Sequence, residues 1–403
     1  MYTKKFIDQL AGDLQAIEQA GKYKTEREIS SAQGARVTVD GKEMIMFASN
    51  NYLGLANNPA LIEASEAGLK EFGFGTASVR FLSGTQTIHR QLEKRIATFI
   101  GTEDVILYST NFMANLGLFA TIINEAYGST EPYYKDVIYS DANNHASIID
   151  AFKLCKKEVT DKRIYKGGDV AMLAQLLEED KDKNYRNKII ATDGIFSMEG
   201  TQADLQKIIE LAEKYNALLF VDDAHGIGVM GETGRGTAQA QGVLGKIDVI
   251  AGTLGKALGG ALGGYIGGKK ELVDLLRQKS RTYLFSNALP ASIVMAGIAS
   301  IDMMEKDSTL TKKVKENAAY FRAKLEENNL PTLEGTHAIV PLMIGDAAKA
   351  ADLSKKLFEN GIYATSLSFP VVPEGEARIR FQVSALHTQK DLDETIEILK
   401  KLM

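Results

Sequence analysis

Three short stretches carry residue types able to act together on a small organic substrate. In AGTLGKALGG, Lys256 follows an apolar run and stands among glycines. A lysine that is buried or close to other cations gives up its proton and becomes a nucleophile or base. The glycines let the backbone come close to a flat partner. A phosphate-gripping glycine loop has a similar composition, but Ala257 stands where the GxxxxGK[ST] pattern needs Ser or Thr. In VDDAHG, Asp222 leaves an apolar strand, where a carboxylate is costly unless a cation or donors meet it. A pyridinium nitrogen is such a cation, and an anion beneath it keeps the ring able to accept electrons. His225, three residues on, is placed to contact a phenolic or carbonyl oxygen. Taken alone, the DxxH spacing describes a capping Asp and a turn histidine equally well.

Weaker signals surround these. STNFMANLG (Ser109–Gly117) follows a strand pattern and opens a helical one, which leaves the N–H groups of Asn111 and Phe112 free to hold an anion such as a phosphate monoester. An ordinary capped helix start explains the same residues. His145 in DANNHASIID suits either stacking on an aromatic face or a packed, hydrogen-bonded place in the core. In EARIRF, Arg378 and Arg380 share one side of a strand, and one of them can clamp a substrate carboxylate. His89, His337 and His387 show no ligand spacing, and with Cys155 the lone cysteine no metal site is expected. A single cysteine also excludes an intrachain disulfide, and Cys155 reads as a small packed residue.

These residues need a frame that gathers them. From about residue 100, short β-branched runs alternate with helical patterns, the mark of βαβ units around a mostly parallel sheet. Strands are expected at Asp104–Tyr108, Val137–Ser140, Lys188–Thr192, Ala217–Val221, Val249–Gly252 and Gly264–Ile266, with a helix over Asp204–Tyr215. Asn111, Ser197, Asp222, His225 and Lys256 come just after strand ends, where open α/β sheets form their ligand crevice. Beyond about residue 290 a long helical region, Ala291 to Glu327, leads into strands near Ala338–Ile344 and Arg378–Ser384 and helices at Ala348–Asn360 and Lys390–Leu402. The expected organisation is an N-terminal helix and short strand arm (1–55), a large α/β domain (56–290) and a smaller α+β domain (291–403). The stretch Tyr127–Tyr134 reads as a surface loop.

Composition narrows the class further. The 403 residues are 45% hydrophobic and 25% charged, with a formal net charge of −5, so no basic nucleic-acid surface is expected. No apolar run approaches the ~20 residues that span a bilayer. The N-terminal MYTKKFIDQLAGDLQAIEQAG reads as an acidic amphipathic helix rather than a leader or transit peptide, and a cytoplasmic enzyme is expected.

From SNNYLGL (Ser49–Leu55) to SALHT (Ser384–Thr388), the order and spacing of these segments resemble the α-oxoamine synthase family of fold-type I enzymes dependent on pyridoxal 5'-phosphate (PLP). The resemblance implies an aspartate aminotransferase-like fold with a large, mostly parallel seven-stranded sheet. It implies PLP held covalently by Lys256, with Asp222 at the pyridine nitrogen, His225 at the phenolic oxygen and His145 against the ring. Asn111 and Phe112 would lie at the phosphate, with Ser197 and Thr253 as further contacts. Arg380 would bind the substrate carboxylate and Asn50 would lie beside the substrate. Ser286 and Asn287, in LFSNAL, would reach the phosphate of a neighbouring subunit, in a homodimer with its site at the interface. FGFGTASVRFLSGTQTIH, GTLGKALGGALGGY, RTYLFSNALPASIV and FPVVPEGEARIR resemble most the branch that condenses glycine with acetyl-CoA. A sister synthase using alanine or serine with a longer acyl-CoA is the alternative, and an aminotransferase a more distant one. Three departures stand out: Ala224 between Asp222 and His225, Asn111 in place of a small residue, and a Thr121–Lys135 segment several residues longer than is usual.

Overall fold

The computed structural model describes residues 2–19, 23–124 and 134–403. All of the expected loop Tyr127–Tyr134 but its last residue, and most of the lengthened Thr121–Lys135 segment, lie outside the described residues.

Seven strands form the central sheet: β3 (Asp104–Tyr108), β4 (Asp136–Asp141), β5 (Thr160–Tyr165), β6 (Lys188–Asp193), β7 (Leu218–Asp222), β8 (Val249–Thr253) and β9 (Gly264–Gly268). Their order is β3-β9-β8-β7-β6-β4-β5, and only β9 runs against the rest. Alternate residues feed two cores, because successive side chains on a strand point to opposite faces. Ile106, Ile138, Phe220 and Val249 pack with helices Asn111–Asn124, Ala146–Lys153 and Lys270–Lys279. Leu107, Tyr139, Ile190, Val221 and Ile250 pack with helices Thr87–Ile100, Leu205–Tyr215 and Ala291–Lys306 on the other face. Burial on both faces explains why these strands read as unbroken apolar runs.

Sequence patterning misses β5. TDKRIY carries Asp161, Lys162 and Arg163 because it is the sheet's edge, where charge discourages pairing with another chain. The single long helix expected from Ala291 to Glu327 is instead two, Ala291–Lys306 and Thr309–Glu327. Asp307 breaks it: its backbone is extended, and its carboxylate takes the Thr309 N–H at 2.9 Å, opening the next helix.

Two smaller sheets complete the chain. β10 (Ile339–Gly345), β13 (Ala377–Gln382) and β12 (Thr365–Leu367) form one, in the order β10-β13-β12. The N-terminal strands β1 (Arg36–Val39) and β2 (Lys42–Met46) form the other with β11 (Ile362–Tyr363). The chain running out of β2 therefore crosses beside β13: Gln382 N donates to Phe47 O at 2.9 Å and Ala385 N to Tyr52 O at 2.7 Å. This crossing carries Asn50 and Tyr52 to the C-terminal ends of the central strands. Helix Lys4–Gln19 has an apolar stripe but no buried residue.

Candidate active site

Six central strands end together, and the residues just past them converge. Asp222, the last residue of β7, is buried, and donors surround its carboxylate: Oδ2 accepts from Asn111 Nδ2 at 2.8 Å and Asn115 Nδ2 at 2.7 Å, and Oδ1 from Ala224 N at 3.0 Å. Asn111 and Asn115 are one helical turn apart, so both reach the same oxygen. Asp193 ends β6 directly opposite Asp222 in register, and its carboxylate accepts the His145 N–H at 3.0 Å. Burial raises the Asp193 carboxyl well above the usual range, with the Asp222 charge adding to it.

Lys256 stands on the turn between β8 and β9. Thr253 Oγ1 and Leu254 N both donate to Gly263 O, at 2.8 and 3.0 Å, and close this turn. Gly259 and Gly263 have φ of +115° and +120°, values that a side chain disfavours, so part of the glycine pattern serves the turn itself. Desolvation pulls the Lys256 amine down to about 8 from its ordinary 10.5; Asp222 and Asp193 hold it up and Arg380 pushes it further down. A lysine so poised keeps a usable neutral fraction, roughly a tenth, near pH 7.

His225 is buried, and its Nδ1 lies 3.0 Å from the Tyr52 hydroxyl. Burial, then the charges of Lys256, His337 and Arg380, hold its pKa well below the ordinary histidine value, so the imidazole is neutral. His145 begins helix Ala146–Lys153; its Nδ1 meets Ser147 Oγ at 2.8 Å, and that hydroxyl accepts from Asn115 Nδ2 at 2.8 Å. His145 and Asp222 are thus linked through two side chains.

The two arginines of β13 separate clearly. Arg378 is fully buried and paired with Glu199 at 3.1 Å and Glu376 at 3.0 Å. Arg380 donates to Ser197 O at 2.9 Å, while its Nε has no partner among the described residues. Asn50 Oδ1 accepts from Gln382 Nε2 and borders a cleft also lined by Ser49, Asn51 and Gly255. Ser286 Oγ lies 3.1 Å from Ser109 Oγ, and the Asn287 carbonyl accepts from Ser109 at 3.3 Å, so both sit beside the end of β3 in their own chain.

The donor set fits PLP. The Asn111 and Phe112 N–H groups, at the start of helix Asn111–Asn124, have no partner among the described residues. Gly264 packs under them so closely that a Cβ there would overlap the Asn111 backbone. Free N–H groups suit a phosphate, an anion in a ring of donors suits a cationic ring nitrogen, and a depressed lysine suits an aldehyde. Asn111 contributes more than expected, since its side chain also braces Asp222.

Sequence reasoning missed Asn115, Asp193, Tyr52, His337 and Gln382. The i, i+4 spacing of Asn111 and Asn115 was a usable signal, and Asp193 ends its strand in TDG much as Asp222 ends its own in VDD. Tyr52 and His337 reach His225 across 173 and 112 residues of chain, with no local pattern to mark them.

Known proteins resemble the chain over nearly its whole length. The model of the class I and II aminotransferases matches residues 42–399. The chain is 46% identical to 2-amino-3-ketobutyrate coenzyme A ligase of Escherichia coli K12 over 399 residues, covering 99% of this chain and 97% of that one. It is 42% identical to 8-amino-7-oxononanoate synthase of Thermoanaerobacter pseudethanolicus, covering 98% and 97%. A lysine-to-alanine variant of serine palmitoyltransferase from S. paucimobilis, solved with a bound PLP–myriocin aldimine, superposes with a TM-score of 0.89 at 27% identity, over 100% of this chain and 98% of that one. The architecture is that of the fold-type I PLP-dependent transferases, and the chain belongs to the class I and II aminotransferase family and, within it, to the α-oxoamine synthases.

Proposed function

We propose that the chain condenses glycine with acetyl-CoA to 2-amino-3-ketobutyrate and CoA, reversibly, so that in the cell it runs toward cleavage in threonine breakdown. The observation that carries the reading is Lys256, drawn down to about 8 beside Asp222 and Arg380, in a chain 46% identical to a ligase of that name. PLP, when bound to Lys256, supplies the electron sink for charge developing at the amino acid's α-carbon.

The residues divide the remaining work. The N–H groups of Asn111 and Phe112 would hold the phosphate, with Thr253 and Ser197 nearby, and Ser286 and Asn287 would complete it from a neighbouring subunit. Asp222, with three donors fixing its carboxylate, would keep a proton on the ring nitrogen, and His145 would pack against the ring. Arg380 offers its unpartnered Nε to the amino acid carboxylate, and Asn50 borders that site. Lys256 Nζ would take the α-proton as general base, and that proton would leave with CoA as its thiol while the thioester C–S bond breaks. His225 Nε2 faces the incoming thioester carbonyl and polarises it.

The reading includes a homodimer. Phe81, Leu82 and Phe285 lie on segments joined by the Val79–Asn287 bridge and are exposed in the single chain, as an interface beside the site requires. A cytoplasmic place accords with the lone buried Cys155. Among the described residues no helix is long and apolar enough to cross a membrane.

The 42% identical 8-amino-7-oxononanoate synthase supports a second reading, a longer acyl-CoA with alanine or serine. The test offers purified, PLP-loaded protein glycine, alanine or serine with acetyl- or long-chain acyl-CoA and follows thiol release. Release requiring glycine and acetyl-CoA, lost in Lys256→Ala, is the expected result. Release only with another pair moves the chain to the sister activity. No release with any pair, with the PLP chromophore present, points to an aminotransferase.

A further inference from the structure

His225 has one protein partner at its ring, the Tyr52 hydroxyl, 3.0 Å from Nδ1, while Nε2 has none among the described residues. A neutral imidazole carries one N–H, and the bond made at one nitrogen decides which nitrogen keeps it. Tyr52 is completely buried, and desolvation pushes its phenol up to about 12, so the hydroxyl keeps its proton. That proton has two acceptors in reach: His225 Nδ1 at 3.0 Å and Asn50 Oδ1 at 3.3 Å. Nδ1 is the nearer of the two, and the Asn50 oxygen shares its acceptance with Gln382 Nε2, so His225 is the better acceptor.

The surrounding packing holds both rings in this relation. The Tyr52 ring meets the edge of His337 at 5.3 Å and 79°. His337 uses both its nitrogens, accepting from Ile339 N at Nδ1 (3.0 Å) and donating from Nε2 to His225 O at 2.9 Å. It therefore fixes the His225 backbone on one side and the Tyr52 ring on the other.

We propose that Tyr52 is a positioning residue that sets the tautomer of His225: its hydroxyl donates to Nδ1, so that the ring's single N–H sits on Nε2 and is presented to the cleft. Polarising a carbonyl or phenolic oxygen needs a donor at that nitrogen, and the opposite tautomer would present a lone pair. The proposal rests on the role given to His225 above, but the tautomer is read by NMR without turnover.

The chain contains five histidines, so a 15N-histidine-labelled protein has ten ring nitrogens, and a His225→Gln sample assigns the two of interest. NMR of the holoenzyme between pH 6 and 8 should show Nε2 protonated and Nδ1 bare. Lys256, Arg380, His337 and His145 are the charged or titratable groups that act on this ring, and none of them donates to Nδ1. In Tyr52→Phe the His225 signals should move toward a mixture of tautomers, and kcat with glycine should fall roughly 10-fold while its KM stays within about twofold. A proton on Nδ1 in the unaltered protein, or an unchanged tautomer in Tyr52→Phe, overturns the proposal. If Tyr52→Phe does not fold, 3-fluorotyrosine placed at residue 52 alone keeps the hydroxyl and strengthens it as a donor. The Nδ1 resonance then shifts if the bond is as described, and an unmoved resonance overturns it.

Discussion

Lys256 offers the most direct quantitative check of the site. Its amine is drawn from 10.5 to about 8, mainly by desolvation. At pH 7 that leaves ~10% of the amine neutral rather than ~0.03%, about a 300-fold gain in reactive form. The signs of the neighbouring contributions follow from the structure. Arg380 lowers the value, so Arg380→Ala should raise the midpoint; Asp222 raises it, so Asp222→Ala should lower it, each by roughly one unit or less. Competitive acylation of the cofactor-free protein across pH 6–11, read by mass spectrometry of the Lys256 peptide, measures the neutral fraction directly. A Lys256 midpoint near the ordinary 10.5, or one that neither substitution moves, would refute the assignment of a desolvated lysine between these charges.

Other outcomes follow from the same geometry. Arg380→Lys should raise the KM for the amino acid about 10-fold with little loss of stability, because a bidentate clamp becomes a point charge. Arg378→Ala should do the reverse, lowering stability by about 3 kcal/mol in denaturant titration, since it strands Glu199 opposite a buried vacancy. Gly264→Ala should cost about 1–3 kcal/mol and weaken PLP retention on dialysis, because the added methyl overlaps the backbone that carries the Asn111 N–H.

The Arg378 and Arg380 pair shows how far sequence reached. Both arginines lie on the same face of β13, and spacing cannot rank them. Only the folded chain brings Glu199 and Glu376 to one and leaves the Nε of the other unpartnered. Ser286 and Asn287 are similar: the single chain places them beside Ser109, and their part in a neighbour's site stays with the proposed dimer.

What the sequence determined by itself was the set of strands and the chemistry at their ends. Burial on both faces demands apolar runs, and the strand ends and the residues after them carry Asn111, His145, Ser197, Asp222 and Lys256 in local patterns a reader can see. The edge strand β5 escaped because its charged residues answer to solvent rather than to a core. The helix break at Asp307 escaped because a single carboxylate, not the apolar period, decides it. Tertiary structure alone decided which donors surround Asp222, how far Lys256 is drawn down, and that Tyr52 meets His225 across 173 residues. Those are properties of distance and desolvation, and they arise only when segments remote in the chain exclude water from the same few ångströms of space.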